Sequence, residues 1–246
     1  PVFFRRPTST CGCLFWVRSR FYITEGVHFW YKIVMKSIKA EGQAHCPNHC
    51  EAFDVEYWSL VRADQDPDLK TAALGGELNL FCCPECKTFF HHDSNLIYLD
   101  APAELMVFVF AHADKAKEEA LVAKMKEDYA LIKKTLSKTL QLDYEPAYVF
   151  GLEALKSVLE HEEELTFESE VVAAACAAAG LQVARLKPAY ARKNHFPLYV
   201  PAADNSGANA YALAAHKVLK TGLNSKLLQN FMDRMSEEGA SEPLLL

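Results

Sequence analysis

Two short stretches decide the reading of this chain: Cys46-Pro47-Asn48-His49-Cys50-Glu51-Ala52-Phe53 and Cys83-Pro84-Glu85-Cys86-Lys87-Thr88-Phe89-Phe90. Both open on Cys-Pro, and both place a phenylalanine seven residues after the first cysteine. A tight cysteine loop bends the backbone so that amide groups point at the sulfurs. Two such loops a few dozen residues apart supply the four donors of a closed tetrahedral zinc site. The pair therefore predicts one structural Zn2+ ion. Cys46, Cys83 and Cys86 are its firm candidate ligands. For the fourth, Cys46 and Cys50 are separated by three residues rather than two. Aligning the loops on Cys-Pro and Phe sets His49 opposite Cys86 and favours a Cys3His site. A widened loop would instead use Cys50, and both ligand sets stay open at this point. Cys82, next to a ligand, reads as a buried thiol.

Two other chemistries fit these residue types less well. A redox Cys-x-x-Cys normally opens a helix, whereas Lys87-Thr88-Phe89-Phe90 continues as strand. A catalytic zinc needs an open coordination position and a nearby acid or base. Asp64, Asp66, His91 and His92 are available, but four protein ligands close the shell and Asp66 is expected to cap a helix. His91-His92 reads as an exposed strand pair. Glu160–Glu164 with His161 reads as a solvated helix end, and Cys176 as a small buried side chain in an alanine-rich helix.

Outward from the loops, the remaining cysteines support metal binding in a reducing compartment. The 8 cysteines of this 246-residue chain are clustered, unlike a disulfide framework. Half the residues are hydrophobic and 24% are charged, as in a soluble globular protein, and the expected location is the cytoplasm. The net charge of -6 makes nucleic acid an unfavourable default partner. No apolar run approaches the ~20 residues needed to span a membrane. Residues 1–34 mix aromatics and arginines without helical or strand periodicity, and the first methionine is Met35. Residues 1–41 are therefore set apart as an N-terminal segment. The expectation that the native start lies near Met35 stands beside that of a true extension.

Residues 42–112 form the expected zinc-knuckle β domain. Phe53–Val61 alternates as a half-buried strand. Asp66-Pro67 opens a short inserted helix that ends at Gly75-Gly76. Leu78–Cys82, Thr88–His91, Leu96–Leu99 and Leu105–Phe110 are further short strands. Over 113–140, Met125, Tyr129, Ile132, Leu136 and Leu140 recur at helical spacing and predict a long amphipathic helix. It is read as packing on its own protein, with pairing to a protein partner or a second copy as the sharper alternative. Residues 141–240 read as a mixed, mainly helical module. It has one helix around Leu152–Leu159, another over Glu168–Ala179, and strands at Leu181–Leu186 and Leu198–Val200. Two more helices follow, capped by Ser206 and Ser225, and then a frayed tail. The fold class is α+β.

Residues 46–110 also resemble the bacterial and archaeal CpXC domain, named for two Cys-Pro-x-Cys motifs. Beyond the cysteines the resemblance is carried by Phe53-Asp54-Val55-Glu56-Tyr57-Trp58, Asp64-x-Asp66-Pro67-x-Leu69-Lys70, Gly76-Glu77-Leu78-Asn79, Phe81 and Tyr98-x-Asp100. It implies a metal-binding fold and assigns no activity. This chain departs from the family pattern at His49, where the family carries cysteine, and at Cys50 and Lys87, where glycine is usual. The functions weighed are a non-catalytic interaction or scaffold protein, an enzyme with a site between the zinc domain and the C-terminal module, and, third, a thiol-redox or nucleic-acid-binding zinc-ribbon protein, the last disfavoured by the acidic balance. The enzyme reading expects His91, His92 or Asp64 to converge in a cleft.

Overall fold

The computed structural model of the chain describes residues 36–136, 142–203, 207–237 and 239–246. Its centre is the continuous apolar run Leu105–Phe110, strand β6, in which all six residues are buried. A strand apolar at every position needs cover on both faces, and β6 has it. Met106, Phe108 and Phe110 pack on one side with Leu60 and Leu99, while Leu105, Val107 and Val109 pack on the other with Val61 and Tyr98.

β6 belongs to a five-stranded mixed sheet in the order β1-β2-β5-β6-β7. β1 (Ile38–Ala44) is antiparallel to β2 (Phe53–Arg62), and β5 (Leu96–Asp100) runs parallel to β2 and antiparallel to β6. β7 (Ala147–Phe150) closes the edge, parallel to β6. Parallel neighbours need long crossovers, and the chain makes two. The first passes through helix α1 (Pro67–Gly75) and the hairpin β3 (Leu80–Cys82)–β4 (Phe89–His91). The second passes through a 3-10 turn (His112–Lys117) and helix α2 (Glu118–Leu136).

Helix α2 lays Met125 and Ile132 against the Phe108 face of the sheet, with Tyr129 partly buried beside them. The opposite face is covered by Ala73 of α1 and by Leu155 and Leu159 of α3 (Leu152–Ala178). The far end of α3 enters a second core with β8 (Val183–Arg185), β9 (Tyr199–Pro201) and three helices, α4 (Pro188–Asn194), α5 (Ala208–Leu219) and α6 (Lys226–Ser236). The architecture is thus mixed α+β, with six α-helices among the described residues. None of its helices is long and apolar enough to cross a membrane.

Several elements differ from the sequence reading, each for a physical reason. β1 and β7 were not anticipated, because both are edge strands specified by the neighbour they pair with. The two helices expected around 152–159 and 168–179 are one 27-residue helix. No glycine or proline interrupts Leu152–Ala178, so the expected exposed end at Glu160–Glu164 is mid-helix. Asp66 makes no side-chain cap to α1; its Oδ2 accepts the Ser37 N–H at 3.2 Å. Gly76 does end α1, in the left-handed conformation (φ 72°). Ser225 caps α6 by accepting the Leu228 N–H at 3.1 Å. The tail expected to fray pairs instead: Lys187 N–H donates to Leu244 O, and Leu246 N–H to Arg185 O. Ser206, Leu140 and residues 1–34 lie outside the described residues.

Arg192 fastens the second core to the sheet. Its guanidinium donates to both carboxylate oxygens of Glu162, one at 2.8 Å, and to the carbonyls of Ala103 and Glu104 at 2.9 and 3.3 Å. A planar fork satisfies all of these at once, and an ammonium cannot. Arg192→Lys is therefore expected to lower stability by about 2 kcal/mol, measured by urea denaturation. A loss indistinguishable from zero would show that the clamp contributes nothing.

Candidate metal centre

The two cysteine loops sit side by side because the strands that carry them do. The first joins β1 to β2, and the second is the tip of the β3–β4 hairpin. Both turns close on themselves through backbone hydrogen bonds. In the first, His49 N–H donates to Cys46 O at 3.0 Å; in the second, Lys87 N–H donates to Cys83 O at 3.0 Å. Each turn needs one residue in the left-handed region, and these are His49 (φ 59°) and Lys87 (φ 60°). Such a conformation is uncommon outside glycine, though histidine is among the residues enriched there. Lys87 follows its second cysteine, whereas His49 precedes Cys50. The two loops are thus out of phase by one residue.

That offset governs which side chains meet. Cys46, Cys50, Cys83 and Cys86 place their sulfurs within 4.8 Å of one another. His49, the alternative from loop alignment, stands outside this group. Two donors come from each loop. Cys46 and Cys83 are buried, Cys50 is half-buried and Cys86 is exposed. Cys46 Sγ and Cys86 Sγ are 3.5 Å apart. Sulfurs at the corners of a tetrahedron around a metal with ~2.3 Å bonds would be ~3.8 Å apart, so the spacing fits a small thiophilic ion. Cys82 is exposed rather than buried, because alternation along β3 turns it away from Cys83.

The surroundings prepare thiolates unequally. The Thr88 hydroxyl lies 3.4 Å from Cys86 Sγ, and the Asn48 side-chain amide donates to the same sulfur at 3.5 Å. The Thr88 hydroxyl first, then its backbone N–H and Asn48, bring Cys86 down to about 5. Burial pushes Cys46 above the ordinary thiol range, against the Asn48 N–H that reaches its sulfur at 3.4 Å. The neighbouring Cys86 pushes Cys50 up, with burial adding to it. Hydrogen bonding thus favours the thiolate at Cys86, while burial at Cys46 and the neighbouring Cys86 at Cys50 disfavour it there. A bound cation would favour the thiolate in all four.

The other polar residues singled out by sequence do not converge. A nitrogen of His91 lies 2.8 Å from Gly76 O, and Asp64 pairs with the Arg62 guanidinium at 2.7 Å. The Arg62 hydrogen bonds and charge lower the Asp64 pKa against the raising effect of burial, the largest single influence on it. The His92 and Tyr57 rings meet at a tilt of 56°, with centroids 4.5 Å apart. Neither histidine is the plain exposed strand residue expected. Cys176 is fully buried, as expected of a small side chain in an alanine-rich helix.

A family model described as CpXC protein matches residues 44–166. No curated protein and no solved structure matches the chain. The match runs from the last residue of β1 into the middle of α3, so it takes in both cysteine loops, β2 and the β3–β4 hairpin. With half the sequence matched and four cysteines gathered from the two motifs, the chain belongs to the CpXC protein family.

Proposed function

We propose that Cys46, Cys50, Cys83 and Cys86 hold one structural zinc ion and that the protein acts as a non-catalytic interaction or scaffold protein. The observation that carries this reading is the gathering of four sulfurs, two from each loop, within 4.8 Å. Four thiolates complete a tetrahedral shell and leave no position for a substrate or an activated water. All-sulfur donor sets select zinc or iron–sulfur chemistry. The role assigned to the ion is a cross-link: it ties the β1–β2 loop to the β3–β4 hairpin, alongside the packing of Phe81 and Phe90 on Ala44, Val55 and Tyr57 and the hydrogen bonds from Asn48 to Thr88 at 2.9 Å and between the Asn79 side chain and the Trp58 backbone at 2.7 and 2.9 Å. In this reading Cys50 takes the place that loop alignment gave to His49.

Metal analysis of the purified parent, Cys50→Ala and His49→Ala proteins tests the assignment. One zinc per chain is expected in the parent and in His49→Ala, and less than one in Cys50→Ala. Zinc lost only from His49→Ala would give the fourth position to the imidazole. A metal-free parent with a Cys83–Cys86 disulfide would overturn the reading, and iron with visible charge-transfer absorption would overturn the zinc assignment.

A further inference from the structure

The second half of helix α3 has two apolar faces, and the second core uses one of them. Leu165, Ser169, Val172 and Cys176 share a line along the helix, and all four are buried. Phe167, Val171, Ala174 and Ala178 share the opposite line, within about 60° of one another at helical pitch, and all four are exposed. Phe167 is 70% exposed and Val171 40%. Towards the helix start the same line reads Glu153, Ser157, Glu160 and Glu164, the polar residues ordinary for a solvent face. Beyond Glu170 the polarity ends: residues 171–179 are two valines, one cysteine and six alanines. A helix apolar all round is ordinarily covered all round, and among the described residues nothing covers this line.

The shape of the line suits another helix. Apolar residues spaced alternately by four and three make the seam along which two helices pack. Ala174 and Ala178 have no bulk to hold a partner's backbone away. Phe167 stands out from the surface one turn before them and is the side chain with most to gain from cover.

The edges of the seam carry charge of one sign. By helical position Glu163 and Glu170 flank Phe167 on one side and Glu164 on the other. Glu164 lies 3.8 Å from His161 and pairs with no lysine or arginine among the described residues. Glu163 and Glu170 form no ion pair among the described residues, although Arg185 lines a cleft with both. Carboxylates around an apolar seam favour a partner that brings cations and disfavour one that brings more carboxylates. A second copy of α3 does not bring them. It has no arginine and one lysine, Lys156, which pairs with Glu160 at 3.9 Å.

We propose that the outer seam of α3, from Glu163 to Ala178, docks an amphipathic helix of a protein partner, apolar at the same four-three spacing and carrying lysine or arginine along its flanks. This surface belongs to the interaction role proposed above and rests on that reading; it uses none of the cysteines.

The probes are two fluorescein-labelled peptides of about three heptads, with leucine at a and d and either lysine or glutamate at e and g. Each is titrated with the full metal-loaded chain and followed by fluorescence anisotropy. Saturable one-to-one binding of the lysine peptide is expected, about tenfold tighter than the glutamate peptide and weakening as salt is raised. Phe167→Ser is expected to lower the affinity by about tenfold or more, with metal content and circular dichroism unchanged because the side chain is exposed. Glu163→Lys combined with Glu170→Lys is expected to reverse the preference between the two peptides. Absence of saturable binding overturns the proposal, as does binding that Phe167→Ser leaves untouched. Equal affinity for the two peptides overturns the basic class. A parent chain that sediments as a dimer, with Phe167→Ser a monomer, assigns the seam to a second copy and overturns the proposal. Lysine-peptide binding seen only in a chain beginning at Met35 assigns the seam to residues 1–34 and overturns it as well. Metal content of the same samples keeps the two readings apart: failed docking on a zinc-loaded chain removes this surface, and a metal-free chain removes the zinc assignment.

Discussion

Cys83→Ser is expected to empty the metal centre and unfold the end of the molecule that the two loops form. Cys83 is the most enclosed of the four ligand candidates, with no exposed surface. Its sulfur stands within 4.8 Å of the other three. Structural zinc in small folds contributes about 10–16 kcal/mol of apparent binding energy at neutral pH. Whole domains are stable by about 5–15 kcal/mol. Losing the ion therefore removes more than the local core can offset. That core is three buried residues, Ala44, Val55 and Tyr57, with Phe53, Phe81 and Phe90 partly covered around them. Zinc content should fall to zero, and amide exchange in Leu80–His91 should rise to rates typical of an unfolded loop. The central strand β6, buried on both faces by groups that do not touch the metal, should retain its protection. Full zinc occupancy in Cys83→Ser would remove Cys83 from the ligand set. Unchanged exchange after complete metal loss would show that the ion is not a structural cross-link.

The second large effect is expected at Phe231→Ala, in the other core. Phe231 is fully buried, and Phe196 and Tyr211 meet it edge-on with centroids 5.3 and 6.3 Å away. Truncating a buried phenylalanine costs about 3–5 kcal/mol through lost transfer energy and the cavity left behind. Each aromatic edge contact adds about 0.5–1.5 kcal/mol to what is lost. Urea denaturation should show a loss of unfolding free energy of that size, with zinc stoichiometry unchanged, because the core that holds Phe231 contains none of the four loop cysteines. A destabilisation below about 1 kcal/mol would mean that this core tolerates the vacancy by collapsing around it.

Local features of the chain were readable wherever a residue acts through its own neighbours. Cys-Pro in both loops, the turn at Gly76 and the Ser225 cap depend on the backbone within a few residues, and all are found where the sequence puts them. The same holds for the strand β2 and for Met125, Tyr129 and Ile132 of α2, whose periodicities reflect a face each element must bury. The continuous helix α3 was misread because Gly180 and the alanine-rich run suggested a separate helix. Nothing in Leu159–Ser169 breaks the helix that precedes it, and Glu162 there is held by Arg192, a partner thirty residues away.

What the sequence by itself determined, then, is that two Cys-Pro loops exist, that each lies next to strand, and that Cys46, Cys83 and Cys86 come as a set. Only the tertiary structure brings the Cys50 sulfur within 4.8 Å of theirs. The reason is a backbone sign: the β1–β2 connection closes with the left-handed residue at position 49, one place earlier than in the hairpin loop, and this brings the next side chain to the other sulfurs. Edge strands β1 and β7 were likewise settled by pairing.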